Sequence, residues 1–132
     1  MFDSHDKHRV SVKLAMFSAD LERVLVMYYP RRDIFGLPGG HIDKQESPDF
    51  AMARELREEL SVDAPELHRA DFFRTSRIIL GYTSIVANDF ETHPTHPDLE
   101  HAVWRTKAEI TEMGNLSEGY QEFILKHWPT AK

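Results

Sequence analysis

The sequence predicts a layered domain of the α/β or α+β class. Three observations point there: two β-rich runs near the N-terminus, one strongly signalled helix in the middle of the chain, and further β-rich runs followed by helical patterns. At 132 residues the chain has the size of one ordinary domain with a real core, so 1–132 is expected to be a single domain.

Val10 to Ser18 (VSVKLAMFS) alternates apolar and polar residues over part of its length, and Arg23 to Tyr29 (RVLVMYY) is an apolar, β-rich run. With ADLE between them they read as a hairpin or two neighbouring strands. PRRDIFGLPGG, rich in proline and glycine, reads as a loop. The clearest helix follows. Ser47 suits the N-cap, Pro48 the first helical position, and Asp49 the positive end of the helix dipole. It runs to about Leu60, before SVDAP breaks it.

ELHRADFFRT and RIILGYTSIVAND read as further strands, with Gly81 as a bulge. FETHPTHPDLE has two prolines and no periodicity, which makes it a loop of a length more often functional than connective. HAVWRT reads as a short strand and KAEITEM as a helix. Ser117 to Trp128 reads as a second helix, amphipathic through Tyr120, Phe123, Ile124 and Trp128. There is no repeat, low-complexity tract or linker.

Composition narrows the function classes. Hydrophobic residues make up 41% and charged residues 29%, which is the globular range. The absence of cysteine excludes disulfides and thiolate metal sites. No apolar run has the length of a secretory signal or a membrane span, so a cytoplasmic protein without membrane association is expected. A formal charge of −6 argues against stable nucleic-acid binding, which depends on clustered Lys and Arg. His93, His96 and His101 fall in the proline-containing loop; they read as a solvated cluster, with a metal or catalytic role as the alternative.

Within RELREEL, Glu55, Glu58 and Glu59 lie within roughly a 100° arc of the helix, with Phe50, Ala53, Leu56 and Leu60 expected on the opposite side. Like charges so placed repel, and pairing with Arg54 and Arg57 on a solvated face is the ordinary outcome. The preceding loop favours another reading. Gly39 and Gly40 permit close backbone approach, and converging carboxylates with a backbone carbonyl make a hard oxygen site suited to Mg²⁺ or Mn²⁺.

The pattern of Gly40, five residues, Glu46, seven residues, Arg54-Glu55-Leu56, one residue, Glu58-Glu59, one residue and Ser61-Val62 resembles the Nudix box of the Nudix hydrolases. Five charged residues at fixed offsets match by chance on the order of once in a million registers. The departure is Ser61, where the family has glycine at a left-handed helix end; serine there should cost about 1 kcal/mol or shift the turn. LPGG before the box and EHAVW after it are also similar to the family's elements.

The resemblance implies a Nudix-like α/β/α sandwich with a mixed β-sheet between helices. It also implies metal-dependent hydrolysis of a nucleoside diphosphate linked to another moiety. Carried over by position, Glu58, Glu59 and the Gly39 carbonyl would hold Mg²⁺ or Mn²⁺, and Glu55 would bind a second metal or act as general base. Gly40, Glu46 and Arg54 would be structural supports, Arg54 orienting a glutamate. Members often recruit a further acid from the loop after the sheet. Glu100 is the candidate here, ahead of Asp98, with His101 or His96 as bases. Arg31 and Arg32 are candidates for phosphate, and Phe35, Tyr28 and Tyr82 for stacking on a base, unless they belong to solvent and core respectively.

The expected partner is therefore a small nucleoside diphosphate derivative, with a nucleoside triphosphate or nucleotide sugar favoured by the short chain. A homodimer is the assembly to expect if there is one. The competing reading is a Nudix-like nucleotide-binding or sensor module without catalysis, which loss of box acids would favour; all are present. A generic acidic domain without a site is the third.

Overall fold

The computed structural model describes residues 10–131. Strands β1 (Val10–Ser18) and β2 (Arg23–Tyr29) form the expected hairpin, with Met16 opposite Leu25 and Phe17 opposite Val24. Asp20 closes its turn by accepting from the Ser18 hydroxyl at 2.6 Å and the Glu22 N–H at 3.0 Å.

Direct pairing of β1 with β2 is confined to that closed end, and two short strands fill the opening beyond it. β3 (Ile34–Gly36) pairs antiparallel with Met27–Tyr29, and β4 (Gly39–His41) pairs antiparallel with Ser11–Lys13. PRRDIFGLPGG is thus not simply a loop. Its glycines hide the strands from a propensity reading, yet Gly39 is what lets β4 lie against β1. At φ 141°, a Cβ there would stand 1.9 Å from the Val12 carbonyl oxygen.

β5 (His68–Arg74) pairs antiparallel with β6 (Ile78–Val86), and β6 runs parallel to β1 from Val10 opposite Ile78 to Ser18 opposite Val86. β7 (His101–Thr106) pairs antiparallel with β2. The sheet is mixed, in the order β3-β2-β1-β6-β5, with β4 on β1 and β7 on β2. Its irregularity lies between Arg69 and Asp71 of β5, directly across from the Gly81–Tyr82 step of β6, so the expected bulge is at this level of the sheet with its extra residue on the partner strand. Gly81 also serves close approach: a Cβ there would meet the Phe123 ring at 2.4 Å.

Helix α1 (Pro48–Leu60) begins as expected, the extended Ser47 accepting from the Phe50 N–H. It buries Ala51, Met52, Leu56 and Leu60. Phe50 is 62% exposed, because it lies about 120° around the helix from Leu56. α2 (Lys107–Glu112) carries a capping box between Thr106 and Glu109. α3 (Tyr120–Lys126) is shorter than the expected Ser117 to Trp128, because Gly119 at φ 84° breaks the helical path just before it. Tyr120, Phe123, Ile124 and Trp128 are nevertheless all buried.

Alternation along the strands creates two cores. Val12, Leu14, Met16, Leu25 and Met27 pack with α1, while Ala15, Phe17, Val24 and Val26 pack with α2 and α3. The result is an α/β/α sandwich around the mixed sheet. Among the described residues no helix is long and apolar enough to cross a membrane.

Candidate active site

The acids of α1 flank its buried stripe rather than oppose it. Glu59 lies about 60° from Leu56 and Glu55 about 100°, so both are drawn toward the sheet, while Glu58 lies about 160° away. Glu55 and Glu59 are accordingly half-buried and Glu58 is exposed.

Arg54 organises this end of the helix. Its Nε and Nη2 grip both oxygens of Glu46, its Nη2 also donates to the His41 carbonyl at 3.1 Å, and its Nη1 reaches Glu55 at 3.2 Å and Glu58 at 3.0 Å. Glu46 also accepts from the Asp43 N–H at 2.8 Å, which ties the loop before α1 to the same guanidinium. Hydrogen bonding from Arg54 holds the Glu46 carboxyl below the usual carboxylate range, and Glu46 in turn raises the pKa of Arg54.

The wall facing these acids is backbone. The Gly39 N–H donates to Glu59 at 2.9 Å, and a Cβ on Gly40 would stand 2.6 Å from Glu55 Oε2. Only glycine leaves room for that carboxylate. Burial raises the pKa of Glu59 and of Glu55. Besides Arg54, positive charge here comes from Lys13 on β1, whose Nζ donates to the carbonyls of Leu37 and Gly39, each at 3.3 Å. Burial lowers the Lys13 pKa, while the charges of Glu59, Glu55 and Glu100 pull it back up.

Glu100 belongs to the same electrostatic group. Burial raises its pKa, His96 and Lys13 oppose that rise, and its charge raises Glu59 in turn. The loop carrying it is fastened to the end of α1, His93 N–H donating to the Leu60 carbonyl at 2.8 Å and Thr95 N–H to that of Glu59 at 2.9 Å. Asp98, His93, His96 and His101 are exposed.

Beside the acids, on the sheet face that carries Lys13, lies a cleft of about 320 Å³. Lys13, Arg32 and Arg77 bring positive charge to it, and Tyr29, Gly36 and Tyr120 supply its walls. Burial holds both phenols neutral, with that of Tyr120 pushed up to about 12. Of the substrate candidates from the sequence, Arg32 lines this cleft. Arg31 is exposed and does not line it. Phe35 alternates to the other side of β3, where it packs on Tyr28 at 4.6 Å and under Arg105 at 5.6 Å beside a separate groove. Tyr82 is buried against α1 with its hydroxyl on Asp49. Sequence reasoning missed Lys13, Arg77, Tyr29 and Tyr120. Lys13 alone gave a usable signal, as the only charged residue in VSVKLAMFS.

Among the described residues no three His, Asp or Glu side chains stand together as a metal-holding group. Cations and backbone donors intervene: Arg54 bridges Glu55 and Glu58, while the Gly39 N–H and Lys13 attend Glu59. The donor chemistry nonetheless fits a hard divalent cation. It consists of carboxylate and carbonyl oxygens, two of the carboxylates poorly solvated beside a backbone stripped of side chains.

Comparison with known proteins identifies the family and the fold. The NUDIX domain model matches residues 7–126, and the chain belongs to the Nudix family. The fold is shared with a MutT NUDIX hydrolase from Burkholderia pseudomallei at TM-score 0.75 and 19% identity, over 90% of this chain and 97% of that one. The NUDIX domain of Shewanella oneidensis NrtR, solved with ADP ribose, superposes at TM-score 0.77 and 20% identity, over 95% and 90%. Escherichia coli dihydroneopterin triphosphate pyrophosphohydrolase superposes at TM-score 0.75 and 15% identity, over 92% and 97%. No curated protein matches the sequence. Nudix hydrolases generally work with divalent cations such as Mg²⁺ or Mn²⁺.

Proposed function

We propose that the protein is a cytoplasmic, metal-dependent diphosphohydrolase acting on a nucleoside diphosphate linked to another group, a nucleoside triphosphate or nucleotide sugar foremost. The observation that carries this reading is the seating of Glu55 and Glu59 against the side-chain-free backbone of Gly39 and Gly40, next to a cleft lined by Lys13, Arg32 and Arg77. The ADP ribose held by the NrtR domain is a ligand of the same chemical class.

Glu59, Glu58 and the Gly39 carbonyl would hold the metal, joined by Glu55 or Glu100. Bound there, a divalent cation would neutralise diphosphate charge and acidify the attacking water. Arg54, anchored on Glu46, keeps Glu55 and Glu58 from collapsing onto other partners. Arg32 and Arg77 bind and orient phosphate oxygens; guanidinium forks suit that task. Water attacks a phosphorus of the diphosphate, the bridging P–O bond breaks with its electron pair leaving on the departing phosphate oxygen, and Glu55, where Glu100 completes the metal site, accepts the water's proton.

The test is turnover of a panel of nucleoside triphosphates, nucleotide sugars and dinucleotides with Mg²⁺ or Mn²⁺, read as release of phosphate, pyrophosphate or nucleoside monophosphate. Metal-dependent release that EDTA abolishes is expected. Tight nucleotide binding without turnover across the panel would favour a sensor module instead.

A further inference from the structure

We propose that Lys13 is a resident counter-ion of the acidic site, its ammonium holding the place beside the Gly39 carbonyl and Glu59 that a divalent cation takes over. The inference rests on the metal-dependent reading above and adds a competition within the chain itself.

The strand register sets the arrangement. Lys13 and Gly39 are partners across β1 and β4, and the missing side chain of Gly39 brings the two backbones together: a Cβ there would also stand 2.9 Å from the Lys13 Cα. From that position the lysine does not extend into solvent. Its Nζ turns onto the Leu37 and Gly39 carbonyls, each at 3.3 Å, and the opposite charges acting on it are Glu59, then Glu55, then Glu100. An ammonium that donates to two backbone carbonyls within the field of three acids occupies the chemical niche of a hard cation. On its own face of β1 Lys13 lies between Ser11 and Ala15, both fully buried, at the step where the strand passes from the core to the cleft. A lysine here is compensated by the acids, and the acids by the lysine, until a divalent ion replaces it.

Two other roles are separable from this one. A purely structural lysine would leave metal affinity unchanged or weakened when removed, and a pure phosphate ligand would alter nucleotide binding alone. Competition demands that removing the ammonium tighten metal binding.

The measurement is Mn²⁺ affinity without nucleotide, by calorimetry and electron paramagnetic resonance, on wild type, Lys13→Met, Lys13→Arg and Arg32→Met. Lys13→Met should bind Mn²⁺ about tenfold more tightly or better, since a unit charge a few ångströms away in a poorly solvated site weighs at least that much. Lys13→Arg should stay within about threefold of wild type. Arg32→Met, which removes a cleft cation that does not touch Gly39, should do the same. Metal-free Lys13→Met should melt below wild type, and saturating Mn²⁺ should raise its Tm by more than it raises that of wild type. Should Lys13→Met fold poorly, the ¹⁵N signal of the Lys13 side chain in wild type serves instead; it should shift on titration with Mg²⁺ and saturate with binding. Equal or weaker Mn²⁺ affinity in Lys13→Met, or a Lys13 signal that stays fixed while Mg²⁺ binds, overturns the inference alone. Failure of wild type and variants alike to bind Mn²⁺ overturns the proposed function with it.

Discussion

One face of β1 has two different ends. Ala15 and Phe17 lie beneath α2 and α3, with Phe17 edge-on to Trp128 at 5.0 Å, and that end is dry core. Ser11 and Lys13 continue the same face, but there Ser11 meets His41 at 3.1 Å and Lys13 meets the cleft. The backbone is the same strand throughout, paired along its length with β6. What differs is the other edge, where β2 seals one end and the glycine-containing β4 is inserted at the other. A sheet becomes a site where its pairing strand is exchanged for backbone that can approach a ligand, and where the covering helix stops short.

The comparison breaks most sharply at the open end. Glu59→Gln should lower kcat by about 10²- to 10⁴-fold, the equivalent of roughly 3–5.5 kcal/mol of transition-state stabilisation. Gln keeps the acceptor for the Gly39 N–H and removes the charge, so the far-UV circular dichroism spectrum should be unchanged. Steady-state kinetics with Mg²⁺ checks it; equal turnover by wild type and variant would remove Glu59 from the metal site.

The closed end should fail in the opposite way. Phe17→Ala deletes a fully buried ring and should cost about 3–5 kcal/mol by urea denaturation. At temperatures where the variant is folded, its Mn²⁺ affinity should lie within about twofold of wild type. A large change in affinity would mean the two ends are coupled through β1 and are not the independent regions described above.

Legibility in the sequence followed the same division. The closed core and α1 were readable, because alternation, a proline at the first helical position and Ser47 are local signals that burial then uses directly. The relative placement of the α1 acids was readable too, because their offsets along one helix fix their arc. The cleft was not. Tyr29, Arg77 and Tyr120 come from β2, the turn after β5 and α3, brought together only by sheet order, and no short-range pattern encodes that. Phe35 was a stacking candidate as an aromatic, but strand alternation turns it away while Ile34 and Gly36 line the cleft. Phe50 is exposed for a related reason: helix phase carries it away from the buried stripe.

Gly40→Ala is a milder probe of the open end. The backbone there tolerates an L side chain, yet the added methyl would overlap the Glu55 carboxylate at 2.6–2.8 Å and must displace it. A loss of about 10- to 100-fold in kcat is expected, with less than ~1 kcal/mol of stability, since the methyl meets a half-buried carboxylate rather than the core. A variant with full activity would show that Glu55 works from another position.

The smallest expected effect concerns Ser61, at the C-terminal end of α1. Ser61 keeps the left-handed conformation of a helix C-cap, at φ 56° and ψ 38°, and its N–H closes onto the Arg57 carbonyl at 3.1 Å. Serine therefore pays the steric cost of that conformation without shifting the turn. Part of the cost is returned by its hydroxyl, which lies 3.2 Å from that of Thr95 in the loop that carries Glu100. Ser61→Gly relieves the strain, loses this contact and frees the unfolded chain, so the net gain should be about 0.5 kcal/mol, or a rise of roughly 1–4 °C in Tm. Thr95→Val separates the two contributions: it removes the contact and leaves the strain, and should lower Tm slightly. If Ser61→Gly lowers Tm by as much as Thr95→Val does, the tie from α1 to the Glu100 loop outweighs the backbone strain, and serine is at this cap for the loop's sake.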